Sequence, residues 1–241
     1  MEFTISIANT SILIQSIHSS SYNTCKDYLI TANEKPDIVI RIDEAMIRDE
    51  QLRAQQSSEI AQSPKALERV LVQRKVTESL LFRNILLMHG AVIAVNRVSY
   101  MFTGKSGTGK TTHINKWLEN AQDSFVVNGD KPFIIIKPEG VFACGTPWCG
   151  KENMGKNTIV PLESIIFMER SDKNHIEPVA FKTAFPNLLE QTYRPGNSDM
   201  MKKTLELLFN LKDRIRFYKF YFDNFKMDAF YTSFNALTRQ K

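Results

Sequence analysis

The period of apolar positions changes several times along the chain. Phe3, Ile5 and Ile7, then Ile12, Ile14 and Ile17, alternate with polar neighbours, and Ala8-Asn9-Thr10 separates the two runs. A period of two predicts a pair of strands joined by a polar turn. A polar stretch from Ser19 to Asn23 follows, and residues 36–42 read as a further strand. Residues 43–62 are polar and Gln-rich, which fits a loop or an exposed helix. Ser63-Pro64 then opens a long helical pattern, since Ser can cap and Pro suits the first helical position. Its apolar stripe runs through Leu67, Val70, Leu71, Leu80, Leu81 and Ile85 at roughly helical spacing.

Beyond residue 90 short apolar runs take over. Ala91 to Val95 and Val98 to Thr103 flank a turn at Asn96-Arg97 and predict a hairpin. A helical pattern starts near Thr112, and Ser124 to Val127 is a strand ending at Asn128-Gly129-Asp130. Phe133 to Ile136 and Val141 to Ala143 form a second hairpin around Pro138-Glu139-Gly140. Ser164 to Met168 reads as a buried strand, and Phe217 to Phe222 as a half-buried one. Helical spacing covers residues 180–189, 198–211 and 228–237. The pattern predicts an α/β fold with a mixed, strongly twisted sheet. Residues 1–62 form a β-rich N-terminal segment able to extend that sheet, and residues 63–241 the core domain.

Between the strand ending at Thr103 and the helix after it lies Gly104-Lys105-Ser106-Gly107-Thr108-Gly109-Lys110-Thr111, followed by Thr112. This is the GxxxxGK[ST] pattern of a phosphate-binding P-loop. Glycines allow close backbone approach and positive φ, and successive N–H groups then face phosphate oxygens. The helix start adds the positive end of its dipole. Lys110 would place an ammonium on the outer phosphates, and Thr111 a hydroxyl on Mg²⁺. A plain glycine turn gives no packing reason for Lys-Thr after the last glycine.

Such a loop needs a facing carboxylate, and Asp130 is the candidate. It follows an apolar strand, and a parallel neighbour strand would deliver it beside the loop at the carboxyl ends of the sheet. There it would hold Mg²⁺ or take a proton from a substrate hydroxyl. The competing reading is a turn aspartate, because Asn, Gly and Asp are turn formers. The segment Gly145 to Asn157 carries Lys151, Lys156, Asn153 and Trp148, with Gly150 and Gly155 as hinges. It reads either as a flexible basic loop whose Lys151 offsets charge on a transferring group or as a solvated surface loop anchored by its Trp. Lys156 is read as solvated.

Composition narrows the setting. Hydrophobic residues make up 43% and charged residues 24%, which argues against disorder. The net charge of +5 suits a phosphorylated ligand but is too mild and too scattered for nucleic acid. Base stacking on Phe217 to Phe222 would need basic neighbours on one face, and only Lys219 and Lys226 are there. Cys25, Cys144 and Cys149 give an odd count with no CxxC pair, neither a disulfide framework nor a zinc site. The N-terminus lacks a signal-peptide pattern and no apolar run suits a membrane span. A cytoplasmic protein is expected.

Lys105 to Thr112, preceded by a strand hairpin with His89-Gly90 at its start, resembles the HPr kinase/phosphorylase family. It is also similar to ATP-dependent phosphoenolpyruvate carboxykinase, which shares that core. In the HPr kinase group a His-Gly pair precedes the loop and an Asp-Asp pair follows at the next strand end. His89-Gly90 matches the first, Asp130 matches the second aspartate, and Gly129 stands where the first would be. Residues 145–151, with Asn157 and Pro161-Leu162, look like small HPr-kinase-related proteins found beside peptide-modification genes.

The resemblance covers residues 86–170 best. It implies an HPr kinase/PEP carboxykinase-like core and Mg-ATP-dependent transfer of phosphate to a hydroxyl of a peptide or small molecule. Homo-oligomers are known in that family. Residues 104–112 would bind the donor, Thr111 and Asp130 the metal, and Asp130, His89, Lys110 and Lys151 would serve catalysis. His89 is equally readable as a structural histidine. Two alternatives stay open: a nucleotide-responsive peptide-binding module without turnover, and a carboxykinase-like enzyme, for which the chain is short.

Overall fold

The computed structural model describes residues 1–31, 35–56, 63–223 and 227–238. The chain divides into two compact units, Met1–Arg83 and Asn84–Lys241.

In the first unit β1 (Glu2–Ile7) and β2 (Thr10–Gln15) pair antiparallel, with Phe3 opposite Ile14 and Ile5 opposite Ile12. The turn between them places Ala8 at φ 52° and Asn9 at φ 58°. Positive φ at both central residues matches the twist of the flanking strands. The predicted polar stretch after β2 is a short helix, α1 (Ser19–Thr24). β3 (Leu29–Ile30) joins β1, and β4 (Ile38–Arg41) lies parallel to β2, for a sheet order β3-β1-β2-β4.

α2 (Glu44–Gln56) fills most of the polar Gln-rich stretch; the remainder, residues 57–62, lies outside the described residues. α3 (Pro64–Leu81) begins as the sequence predicts. Ser63 accepts a hydrogen bond from the Ala66 N–H, and Pro64 sits in the first turn. Leu67, Leu71, Val76 and Leu80 are buried along one face. The helix packs on α1, α2 and β4, so it belongs to the first unit and not to the core domain assigned to it from sequence. The unit boundary therefore falls after this helix. The first unit's strands form a sheet of their own and do not extend the larger one.

The helix also ends before Ile85. Phe82 caps it and Asn84 turns at φ 62°. Ile85–Leu87 is then a strand, β5, which opens the second unit. Three buried apolar residues in a row serve a strand as well as a helical stripe, and pairing with a distant strand decides between them.

The large sheet of the second unit is mixed. Its strands are β5, β6 (Ala91–Val95), β7 (Val98–Thr103), β8 (Ser124–Asn128), β9 (Phe133–Lys137), β10 (Gly140–Cys144), β11 (Ile159–Arg170), β12 (His175–Pro178) and β13 (Arg216–Phe222). The order is β5-β9-β10-β11-β7-β6-β8, with β13 also paired to β11 and β12 to β13. β7, β11 and β13 run parallel, while β6 is antiparallel to β7 and β8. Both predicted hairpins, β6–β7 and β9–β10, form. β12 escaped the sequence reading; its four residues, none fully buried, show no alternation to find.

The helices are α4 (Lys110–Asn120), α5 (Phe181–Gln191), α6 (Ser198–Phe209) and α7 (Asp228–Thr238). Ile114 and Trp117 of α4 and Phe230 of α7 share a core with Tyr100, Phe102, Ile166 and Phe220 from the three parallel strands. This core anchors α4, and therefore fixes the loop that joins β7 to α4.

Candidate functional site

Residues 104–109 link the end of β7 to the first residue of α4, Lys110. Gly107 has φ 75° and Gly109, the residue preceding the helix, has φ 112°. A Cβ strains such backbone, so glycine favours the curl of the loop into the helix.

The loop's carbonyl groups find donors within the protein. Lys110 Nζ donates to the oxygens of Gly104 at 2.9 Å and Lys105 at 3.2 Å. Arg170, the last residue of β11, donates from Nη2 to Gly107 O at 2.7 Å and from Nε to Thr108 O at 3.2 Å. In a planar trans peptide the next N–H points opposite to the carbonyl. The N–H groups of Lys105, Ser106 and Gly109 are therefore turned away from these donors. Burial lowers the pKa of Lys110 from its usual value, and the charge of Asp130 works against that shift. The loop lysine and the strand-end carboxylate thus lie in each other's field.

Asp130 does not arrive on a strand beside β7, as expected from sequence. β8 pairs with β6, and β6 stands between β8 and β7. Asn128 shapes the turn: its Oδ1 accepts from the N–H of Asp130 at 2.9 Å and of Lys131 at 2.7 Å. The carbonyl of Asp130 accepts from the N–H of Gly90 at 2.8 Å.

His89 sits just before β6 and faces Asp130, with Nε2 3.5 Å from Oδ1. About a third of each side chain is exposed (34% and 32%), so a ligand can reach both. The His89 carbonyl accepts from Thr103 Oγ1 at 2.6 Å, tying it to the end of β7. On the other side, His89 N–H donates to Gln191 O at 2.7 Å, and Nδ1 lies 2.9 Å from Gln191 Oε1.

Gly145 to Asn157 contains no helix or strand, but it is tied down over the end of β8. Lys156 N–H donates to Val127 O, Gly129 N–H to Met154 O, and Gly145 N–H to Thr158 O, at 2.9–3.1 Å. Asn128 Nδ2 donates to the carbonyl and hydroxyl of Thr146 at 3.1 and 3.0 Å. The hinged, flexible loop expected from Gly150 and Gly155 is thus a bound one. A Cβ placed on Gly150 would lie 3.1 Å from Asp130 Cβ, so the segment passes directly over the carboxylate. Exposed Lys151 is the next residue. Lys156 points elsewhere, 4.6 Å from the Phe125 ring centre. Trp148 packs edge-on against Phe133, an anchoring role.

This segment also accounts for Gly129. A Cβ there would lie 3.0 Å from Cys149 O and 3.2 Å from Met154 O. Backbone oxygens crowd the position, so a side chain there needs the segment to shift by a few tenths of an ångström.

A groove of about 510 Å³ lies beside the loop, lined by residues 104–108, by Phe167 to Arg170 of β11, by Asn187, Glu190 and Gln191 of α5, and by Lys219. Gln191 is common to this groove and to His89. Gln191, Thr103 and Arg170 are not singled out by the sequence. Each acts through a bond to a distant segment, for which local spacing carries no signal.

Among the described residues no three His, Cys, Asp or Glu side chains are grouped to hold a metal, and no helix is long and apolar enough to cross a membrane. One carboxylate and one hydroxyl, Asp130 and Thr111, suit Mg²⁺ that arrives with phosphate oxygens and keeps its waters. They do not form an all-protein cage.

No protein-family model matches the chain, and no curated protein matches its sequence. Among solved structures, it is similar to the HPr(Ser) kinase/phosphatase from Coxiella burnetii, over 64% of this chain and 97% of that one, with 10% identity and a TM-score of 0.36.

Proposed function

We propose that the second unit is a Mg-ATP-dependent phosphotransferase acting on a serine- or threonine-type hydroxyl of a peptide or small molecule. The observation that carries this reading is the glycine loop between β7 and α4, with positive φ at Gly107 and Gly109 and Lys110 Nζ folded back over it. A glycine loop's lysine at a strand-to-helix turn, facing one carboxylate that also touches a histidine, suits phosphoryl transfer better than a structural turn.

In this reading residues 104–112 cradle the donor's phosphates through N–H groups, the α4 N-terminus and Lys110. The acceptor oxygen forms a bond to the γ-phosphorus. The bond from that phosphorus to the bridging oxygen breaks, and ADP leaves with its electron pair. The hydroxyl proton passes to the His89–Asp130 pair. Lys110 offsets charge on the equatorial oxygens, and Lys151, the residue after Gly150, would do the same. Thr111 and Asp130 would hold Mg²⁺, which would supply further charge neutralisation.

A second reading has one observation in its favour. Backbone crowds the place of a second carboxylate at Gly129, which the chain leaves without one, so the unit could bind nucleotide and peptide without turnover. Incubation with γ-labelled ATP and Mg²⁺, with free serine and peptides encoded beside its gene, separates the two. Label on a hydroxyl, lost in Lys110→Ala and in Asp130→Asn, supports the transferase. Nucleotide binding with no label on any acceptor rejects it in favour of the binding module.

A further inference from the structure

The structure assigns Gln191 a task that no local pattern announces: we infer that it is a positioning residue that selects the tautomer of His89. Three segments lie side by side here. Residues 87–89 run in the middle. On one side are residues 130–133, with Met88 N–H bonded to Pro132 O at 3.1 Å and Leu87 paired with Phe133. On the other are residues 191–193, with Met88 bridged to Thr192 and Tyr193 N–H donating to Leu87 O at 2.9 Å. The His89 ring spans the two flanks. Its Nδ1 meets Gln191 Oε1 and its Nε2 meets Asp130 Oδ1.

The geometry has one chemical consequence. The side-chain oxygen of Gln191 only accepts, so Nδ1 must carry the proton. In the neutral ring Nε2 then presents a lone pair on the side of Asp130. A carboxylate oxygen and a bare ring nitrogen 3.5 Å apart form a site with two acceptors and no donor. A hydroxyl brought between them can only donate, which orients it. The other tautomer would spend the Nε2 proton on Asp130 and leave no such site. Gln191 also holds the His89 main chain through its own carbonyl, and its side chain is 9% exposed, so its rotamer is confined by packing. The main-chain bond survives any substitution, which isolates the side chain's effect.

The kinetic part of this inference rests on the transferase reading, and the tautomer does not. The test is ¹⁵N–¹H correlation of the imidazole nitrogens in the full-length labelled chain at pH 8, with His89 assigned by its loss in His89→Ala. The wild type is expected to show the Nδ1–H, bare-Nε2 pattern. Gln191→Leu should move His89 towards the Nε2–H form, and Gln191→Glu, which keeps an acceptor oxygen, should retain the wild-type pattern. In transfer assays Gln191→Leu should lower kcat by up to about 100-fold, the size of a misplacement effect. Nucleotide affinity should stay unchanged, with recovery in Gln191→Glu. A wild-type His89 in the Nε2–H form, or a tautomer indifferent to Gln191→Leu, overturns the inference. The wild-type spectrum decides even if the Leu variant does not fold. Absence of label transfer in every variant would sink the transferase reading while the spectra still settle Gln191.

Discussion

Lys110 folds back over the loop that precedes it and donates from Nζ to the carbonyl oxygen of Gly104 at 2.9 Å. A buried lysine whose ammonium rests on neutral carbonyls gains only part of what it loses in hydration, and its pKa is lowered accordingly. Phosphate oxygens would be stronger partners than the carbonyls of Gly104 and Lys105, because both ends of the contact are then charged. Lys110→Met, which keeps the stem, should leave the fold intact and lower transfer to acceptor by about 100- to 1000-fold, the usual loss for one preorganised charge-stabilising donor. Single-turnover label transfer measures it. Near-wild-type rates would remove Lys110 from the chemistry.

Gly129 gives a prediction that separates sequence likeness from geometry. Restoring the Asp-Asp pair through Gly129→Asp places Cβ 3.0 Å from Cys149 O and 3.2 Å from Met154 O, with a carboxylate among carbonyl oxygens. The segment over β8 must give by a few tenths of an ångström, which strains the Gly129–Met154 hydrogen bond. We expect a loss of about 1–3 kcal/mol in stability, typical of overpacking, and no gain in transfer. Chemical denaturation followed by tryptophan fluorescence reads this unit alone, since both tryptophans, Trp117 and Trp148, lie in it. An active, equally stable variant would mean that the position tolerates a second carboxylate.

What the sequence makes legible follows from the range of the forces involved. The β6–β7 turn at Asn96-Arg97, the loop before α4, and the Ser63 cap are settled by residues near one another in the chain, and all are readable. The assignment of Ile85 to a helix fails because its fate is set by pairing with Ile135. The membership of α3 fails likewise, since its apolar stripe fits either unit and the first unit's sheet takes it. At the site, His89, Lys110 and Asp130 are visible by residue type and order. Gln191 is not, because its claim rests on hydrogen bonds to residues far back in the chain. The placement of Asp130 two strands from β7 is hidden for the same reason.

Glu68 is the first unit's equivalent of such a long-range tie. It is fully buried on α3, and its carboxylate accepts from the N–H groups of Ile17 and His18 and from Ser21 Oγ at 2.5–3.3 Å. It thus serves the open N-terminus of α1 from another helix. Glu68→Ala leaves these donors unmatched, and we expect a loss of about 3 kcal/mol, since each unsatisfied buried group costs about 1–3 kcal/mol. Amide exchange at Ile17 and His18 should accelerate strongly while that of β6 and β7 is unchanged. Equal protection in wild type and variant would show that the carboxylate is dispensable.

His113 sets the acid limit of the second unit. It lies on α4, 1% exposed, among Phe102, Trp117, Phe220 and Phe222. Ser233 Oγ, which donates to Phe230 O, lies 3.0 Å from His113 Nε2 and accepts from Trp117 Nε1 at 3.1 Å. Nδ1 has no hydrogen-bond partner among the described residues. Burial, with a smaller contribution from Lys116, pushes its pKa down to about 3 from an ordinary 6.5. A depressed folded-state value means that the unfolded chain takes up the proton first. Stability is therefore full above pH 6.5 and falls as pH drops towards the folded value. From pH 7 to pH 5 the loss is about 2 kcal/mol, at 1.36 kcal/mol per pH unit below 6.5. His113→Phe removes the titrating group and leaves Trp117 its bond to Ser233. The stability difference between wild type and variant should then shift by about that amount over this range, read by urea denaturation with tryptophan fluorescence at each pH. A difference that stays constant from pH 7 to pH 5 would show that the imidazole is protonated in the fold or reached by water, and the acid sensitivity would have to come from the carboxylates instead.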